Sequence, residues 1–149
     1  MKTTVATILA LSFLVTPAFS DGHATGDTMA GEAIFKKCKA CHSIVDPEGG
    51  VVQKGGKVGP NLYGLYGRTA GENADFGAKF GGSIKEAGEK GLIWNENNFV
   101  DYVADPKKFL ATFLDDNSAK SKMGFKLKKE TDARNVWAYL VSVGPEVVN

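Results

Sequence analysis

Apolar positions recur at helical spacing in several separate stretches of the chain. The first stretch repeats them at intervals of three and four residues, in the order Ile34, Cys38, Cys41 and Val45. This spacing places all four on one face of a helix. Because Asp27 and Thr28 are suitable N-cap residues, the pattern predicts a first helix that begins there and carries both cysteines in its apolar stripe.

Four more short helices are predicted in the second half of the chain. The residues expected to begin them are Ser83, Asn95, Asp105 and Thr131. Ser83 starts a capping box with Glu86, and Gly91 can end that helix. Pro106 either ends the Asn95 helix or begins another helix at its first position.

Between these helices the chain predicts long loops and no strand. Residues 46–58 contain several glycines and a proline, which interrupt regular structure. No stretch shows the alternation of a half-buried strand. With 149 residues, of which 43% are hydrophobic, the chain can form one domain with a core. The predicted fold is therefore all-α with long loops.

The N-terminus has the pattern of a secretory signal peptide. Lys2 supplies a positive start, residues 5–15 are mostly apolar, and small residues stand at Ala18 and Ser20. Cleavage before Asp21 is expected, which leaves residues 21–149 as one exported domain; an uncleaved anchor or a buried helix is the alternative. No later segment is apolar enough to span a membrane, so we expect a soluble periplasmic product.

The charge balance excludes some partners. The formal net charge is +1, and removing Lys2 with the signal peptide leaves equal numbers of basic and acidic residues. The chain has no block of basic residues. Nucleic-acid binding is therefore not expected.

The residues with the most specific chemistry are Cys38-Lys39-Ala40-Cys41-His42. Cys-x-x-Cys-His is the attachment pattern of a c-type haem. Two thiols add to the haem vinyl groups, and the histidine binds the iron from one face. On a helix, residues three apart lie on one side, so Cys38 and Cys41 can reach the same porphyrin edge.

Two other interpretations of the cysteine pair were weighed. A structural zinc site needs four protein ligands, and the chain offers only His23 beyond this motif. A thioredoxin-like redox pair is expected after a strand, whereas the residues before Cys38 have a helical pattern. Covalent haem attachment is favoured over both.

Few residues could bind the second face of the iron. Met1 leaves with the signal peptide, and the remaining candidates are Met29, Met123 and His23. His23 lies in the polar segment 21–27, which is expected to be loose and solvent-exposed. A methionine is ordinarily a core residue. Because the other candidates lie at or before the start of the first helix, Met123 is favoured as the second ligand.

Several motifs besides the haem motif occur in an order that resembles the class I cytochromes c. They are Gly59-Pro60-Asn61-Leu62, Gly67-Arg68, Trp94, Tyr102, Asp105-Pro106-Lys107-Lys108 and Lys122-Met123-Gly124-Phe125. The pattern, over residues 30–143, is most similar to the bacterial cytochrome c2 group, including Paracoccus-type periplasmic cytochromes. The resemblance implies about five short helices and long loops wrapped around one covalently bound haem c.

The resemblance also implies roles for individual residues. Met123 would be the sixth iron ligand, and the Pro60 carbonyl would accept the Nδ1 proton of His42. Arg68 and Trp94 would lie near a buried haem propionate, and Tyr102 would lie on the methionine side. Phe80 stands where many relatives have a tyrosine that reaches a propionate, so one donor would be missing. Two contacts between the first and last helices are also implied, joining Gly31 and Phe35 to Val136 and Tyr139.

An iron held by His42 and Met123 has no open position, which favours a one-electron carrier over an enzyme. By resemblance, the donor would be a membrane cytochrome bc complex, and the acceptor a terminal oxidase, a photosynthetic reaction centre or a periplasmic reductase. The carrier would be a monomer that docks transiently through lysines around the haem edge. These lysines are Lys36, Lys37, Lys39, Lys57, Lys107, Lys108, Lys120, Lys122 and Lys126. A five-coordinate haem enzyme or gas sensor, and a binding module without haem, remain as alternatives.

Overall fold

The computed structural model describes residues 23–146, which fold into five α-helices and one small β-hairpin. The predicted signal peptide, residues 1–20, lies outside the described residues. The elements in chain order are α1 (Thr28–Phe35), β1 (Ile44–Val45), β2 (Val51–Gln53), α2 (Gly82–Glu89), α3 (Glu96–Ala104), α4 (Pro106–Leu114) and α5 (Glu130–Ser142). A single 3₁₀ turn, Gly77–Lys79, precedes α2. The all-α prediction is confirmed.

The contact between α1 and α5 joins the two ends of the domain. Gly31 lies against α5 so closely that a Cβ atom there would be 1.9 Å from the Asn135 carbonyl oxygen. Four residues on, the rings of Phe35 and Tyr139 pack with centroids 5.7 Å apart. Only a residue without a side chain permits this helix approach, because a Cβ would overlap the α5 backbone.

Most predicted helix starts are correct. The Asp27 carboxylate accepts from Ala30 N–H to cap α1, and Asn95 caps α3 in the same way. Asp105 caps α4, with Pro106 at its first position. The predictions for Ser83 and Thr131 are wrong, because α2 begins after Gly81 and α5 after Lys129, without a side-chain cap.

The β-hairpin was not predicted. Ile44 stands opposite Gln53 and Val45 opposite Val51 in an antiparallel pair. The tight connection between them is closed by Asp46, whose carboxylate accepts from Gly50 N–H at 2.7 Å. With strands of two and three residues, the alternation is too short to be distinguished from a loop.

The residues before α1 are packed rather than loose, contrary to the sequence-based expectation for His23. The His23 carbonyl accepts a hydrogen bond from Trp137 Nε1 at 2.8 Å, and its Nδ1 lies 2.8 Å from the Tyr66 hydroxyl. Thr25 donates to Glu96 through both its main-chain N–H and its hydroxyl. We call residues 23–27 the N-terminal strap. None of the helices between residues 23 and 146 is long and apolar enough to cross a membrane.

Candidate haem site

A deep cavity opens between the helices and the long loops of the domain. Its volume is about 230 Å³. All eight residues predicted for the site border this cavity: Cys38, Cys41, His42, Pro60, Arg68, Trp94, Tyr102 and Met123. The fold therefore brings together residues that are distributed over most of the domain.

The Cys-x-x-Cys-His motif lies in hydrogen-bonded turns directly after α1, not inside the helix as its spacing suggested. Cys41 N–H and His42 N–H both donate to the Cys38 carbonyl, at 3.1 and 3.0 Å. This compact turn brings Cys38, Cys41 and His42 to the same cavity. Gly56 N–H donates to the Lys39 carbonyl at 2.9 Å and fastens the following loop over the motif.

The placement of the two cysteines suits haem attachment. Cys38 and Cys41 both border the cavity and are not joined to each other by a disulfide. Burial raises the pKa of the Cys38 thiol to about 11, so this residue is not an activated redox thiolate. Within residues 23–146, no group of three or more His, Cys, Asp or Glu side chains is arranged to hold a metal ion.

His42 is held in an orientation that suits an iron ligand. Its Nδ1 atom lies 2.8 Å from the Pro60 carbonyl oxygen, so Nδ1 carries the proton and Nε2 has the lone pair. Burial lowers the pKa of His42, although the hydrogen bond to Pro60 partly opposes this shift. The imidazole is therefore kept neutral, which is the form that binds a metal.

Met123 lies in a segment without helix or strand, which other contacts hold in place. The Ser121 hydroxyl is 3.1 Å from both the N–H and the carbonyl oxygen of Met123. Burial raises the pKa of Tyr102, opposed by a hydrogen bond between its side chain and Ser121. Past Met123, Leu127 N–H donates to the Val103 carbonyl at 2.8 Å, which returns the chain to α3.

Arg68 provides a positive charge at the cavity wall. Its Nη1 donates to the Asn61 carbonyl at 2.9 Å and its Nη2 donates to the Tyr63 carbonyl. These two main-chain acceptors orient the guanidinium without neutralising it, and burial lowers the pKa of Arg68. Such a partly buried cation is suited to an anionic group such as a haem propionate.

Aromatic side chains form much of the rest of the wall. Trp94 and Tyr102 pack edge to face, with centroids 5.0 Å apart. Phe80 packs edge to face on Phe76, with ring centroids 4.8 Å apart, and both border the cavity. Thiols, an imidazole, a thioether, a guanidinium and a largely apolar lining that includes several aromatic rings together fit a covalently held haem.

Sequence reasoning missed three residues that organise this site. Asn61 fixes the Pro60 loop, because its side-chain amide exchanges hydrogen bonds with the N–H and carbonyl of Val45 at 3.0 and 2.7 Å. Ser121 holds Met123, and Phe76 borders the cavity. Asn61 stands within a recognised motif, but nothing in the sequence distinguishes Ser121 and Phe76 from ordinary loop residues.

The predicted contacts between α1 and α5 agree with the structure in part. Phe35 packs on Tyr139, as expected. Gly31 approaches Asn135 and the Cβ of Tyr139. Val136 is buried and borders the cavity.

The comparisons with known proteins agree with this geometry, although no protein-family model matches the chain. The chain is 48% identical over 143 residues to cytochrome c-551 of Roseobacter denitrificans, covering 96% of each protein. It is 50% identical over 145 residues to cytochrome c2 of Cereibacter sphaeroides, covering 96% of this chain and 97% of that protein. The crystal structure of cytochrome c2 from Rhodobacter sphaeroides superposes with a TM-score of 0.79, at 52% identity, over 83% of this chain and 100% of that one. The chain therefore belongs to the cytochrome c2 group of class I cytochromes c, which are electron-transfer proteins rather than enzymes and carry one covalent haem c.

Proposed function

We propose that the chain carries single electrons through a haem whose iron is bound by His42 and Met123. The observation that carries this proposal is that both side chains border one cavity, with the proton of His42 fixed on Nδ1 by Pro60. Cys38 and Cys41 would hold the haem through thioether bonds. When bound, the haem supplies a one-electron iron couple whose potential a methionine ligand raises.

The protein's own residues favour electron transfer over chemistry on a substrate. His42 and Met123 would both bind the iron, so a substrate would have to displace one of them. Arg68 and Trp94 would stabilise a haem propionate, and Tyr102 would hold the methionine side through Ser121. Because these groups are fixed by hydrogen bonds and packing, little reorganisation is expected between the two oxidation states.

We further propose that the carrier is a soluble, monomeric, periplasmic protein. The support is the N-terminal signal pattern, since covalent haem attachment generally takes place outside the cytoplasm. A membrane cytochrome bc complex is proposed as donor, and a terminal oxidase, photosynthetic reaction centre or periplasmic reductase as acceptor. Exposed lysines near the cavity would steer the encounter with acidic partners. Of the lysines proposed from the sequence, Lys37, Lys120 and Lys122 border the cavity, and Lys79 joins them there.

The axial ligand is tested by the variant Met123→Ala in the ferric holoprotein. Methionine-ligated ferric haem shows a weak far-red charge-transfer band, and Met123→Ala should abolish it and lower the reduction potential. Met29→Ala is the matched control, because Met29 is 84% exposed and does not border the cavity. A wild-type protein that lacks the band, or binds carbon monoxide readily when reduced, would instead be a five-coordinate haem enzyme or sensor.

Covalent attachment is tested separately by haem staining on a denaturing gel. The wild-type band should stain, and the double variant Cys38→Ala/Cys41→Ala should lose the stain. An unstained wild-type band would contradict the proposal and favour a binding module without haem.

A further inference from the structure

Ser83 has a contact that its sequence context did not suggest. It stands in the first turn of α2, but it does not cap that helix. Its hydroxyl oxygen instead accepts a hydrogen bond from the main-chain N–H of Lys120, at 3.0 Å. Ser83 thus joins α2 to the segment that leads to Met123.

The segment from Lys120 to Met123 is short and hydrogen-bonded, so the contact of Lys120 with Ser83 can restrain Met123. Ser121 follows Lys120 directly, and its hydroxyl holds both main-chain polar groups of Met123. Lys122 adds a second attachment, because its Nζ donates to the Lys79 carbonyl at 2.7 Å. The attachment by Ser83 acts on the main chain, whereas that of Lys122 acts through a long, flexible side chain.

The α2 helix is a firm support for this attachment. Ile84, next to Ser83, is 9% exposed and borders the cavity. At the other end of the helix, Gly88 lies so close to the 67–70 loop that a Cβ there would be 2.0 Å from the Ala70 carbonyl oxygen. Because α2 is packed at both ends, Ser83 cannot readily follow a movement of the methionine segment.

We propose that Ser83 is a positioning residue for Met123. This inference rests on the proposed function, in which Met123 binds the iron. The Ser83 hydroxyl holds the main chain of Lys120 against α2, and thereby opposes the movement of the segment that would take Met123 off the iron. An external ligand that must displace Met123 therefore binds more weakly when the hydrogen bond is present.

Imidazole must replace Met123 to bind the iron. Its apparent Kd for the ferric holoprotein therefore measures how readily the Met123 segment moves away from the iron. In Ser83→Ala we expect the apparent Kd for imidazole to fall about two- to tenfold, which is the range of one ordinary hydrogen bond. The loss of the far-red band with rising pH should also begin at lower pH than in the wild type. Ser83→Thr keeps the hydroxyl and should restore the wild-type Kd.

Ser142→Ala is the matched control. It removes a hydroxyl hydrogen bond of similar length, 2.8 Å to the Tyr139 carbonyl, from α5. It should leave the imidazole Kd unchanged even where it lowers the free energy of unfolding. An unchanged Kd in Ser83→Ala, or an equal change in Ser142→Ala, would overturn the positioning role.

The wild-type spectrum separates this inference from the proposal on which it rests. If the far-red band is present and Met123→Ala abolishes it, Met123 ligation stands whatever Ser83→Ala does. If the wild type has no such band, Met123 is not the ligand, and the role of Ser83 is overturned with it.

Discussion

The Nδ1 atom of His42 lies 2.8 Å from the carbonyl oxygen of Pro60, and this contact determines which ring nitrogen is available to the iron. A main-chain acceptor cannot be removed by changing its own side chain. The neighbouring Gly59 nevertheless offers a way to test the contact. A Cβ at Gly59 would lie 2.3 to 2.7 Å from three atoms of the His42 ring.

The variant Gly59→Ala is therefore expected to force the His42 ring or the 59–60 backbone to move. Because an iron-bound ring has little freedom, the free energy of unfolding of the ferric holoprotein should fall by about 1–3 kcal/mol, as for other overpacked sites. Guanidinium denaturation followed at the haem absorption measures it. Gly124→Ala is the control, since a Cβ at Gly124 would meet no atom within 4 Å. Equal stability of the two variants would mean that the ring is not tightly enclosed.

The packing of Gly59 on His42 illustrates what the sequence could and could not predict about the site. Cys38, Cys41 and His42 were predicted from a local motif, and Met123 from the shortage of other ligands. The roles of Pro60, Arg68, Trp94 and Tyr102 came only from the resemblance to the class I cytochromes c. The supporting contacts of Asn61, Ser83 and Ser121 join segments that are distant in sequence. A serine or asparagine in a loop or at a helix start has many local uses, so its actual partner depends on tertiary structure.

The helix starts were predicted from residues close together in sequence, and the errors in that prediction have physical causes. Asn95, Asp105 and Pro106 act within one helical turn, so their roles can be read locally. The prediction of a capping box at Ser83 was wrong because α2 begins two residues earlier, with Gly81 as its N-cap, and the Ser83 hydroxyl accepts from the N–H of Lys120 instead. The expectation that His23 is loose was wrong because its position is fixed by hydrogen bonds with Trp137 and Tyr66, which lie far along the chain.

The N-terminal strap should contribute to stability without affecting the haem. A variant whose mature chain begins at Asp27 loses the contacts of His23 and Thr25 with Trp137, Tyr66 and Glu96. At about 0.5–1.5 kcal/mol for each net hydrogen bond, the free energy of unfolding should fall by roughly 2–4 kcal/mol. The haem spectrum and reduction potential should stay the same.

A double-mutant cycle identifies the strap contact at Trp137. Trp137→Phe removes the Nε1 donor to the His23 carbonyl, and it should cost less in the shortened chain than in the full chain. An equal cost in both chains would show that the strap makes no energetic contact with Trp137.

The ion pair between Asp105 and Lys126 should make stability depend on acid pH. Lys126 Nζ lies 2.6 Å from the Asp105 carboxylate, and this hydrogen bond is the main reason why the pKa of Asp105 is lowered. An aspartate whose pKa is lowered by folding stabilises the folded state above its unfolded pKa of roughly 3.9. The stabilisation is lost as the pH falls through the lower, folded pKa.

Asp105→Asn tests this dependence while keeping a side chain that can cap α4. The variant should be less stable than the wild type at neutral pH. The difference should begin to shrink near pH 4, the unfolded pKa, and should disappear once the pH has fallen through the lower, folded pKa. Thermal unfolding at a series of pH values measures both. Lys126→Gln removes the same pair, so adding it to Asp105→Asn should change stability little. A difference that persists unchanged at low pH would show that the aspartate acts through packing or capping instead.

The lysines at the mouth of the cavity should govern the rate of encounter with redox partners. Lys37 and Lys120 are exposed and border the cavity, so reversing both charges should weaken the attraction to an acidic docking surface. At low ionic strength, Lys37→Glu/Lys120→Glu should lower the second-order rate of reduction by a purified cytochrome bc complex about tenfold or more. The reduction potential should change far less than the rate, because Lys37 and Lys120 are exposed to solvent.

Salt dependence distinguishes steering from a change at the haem. Salt at 0.1 M screens charges beyond about 10 Å, so the wild-type rate should fall with added salt while the rate of the double variant falls less. Lys128→Gln is the control, since Lys128 is exposed but does not border the cavity. If the wild-type rate does not respond to salt, or if Lys128→Gln slows transfer as much as the double variant does, these lysines do not form the docking surface. The partner would then dock on a part of the surface away from the lysines that border the cavity.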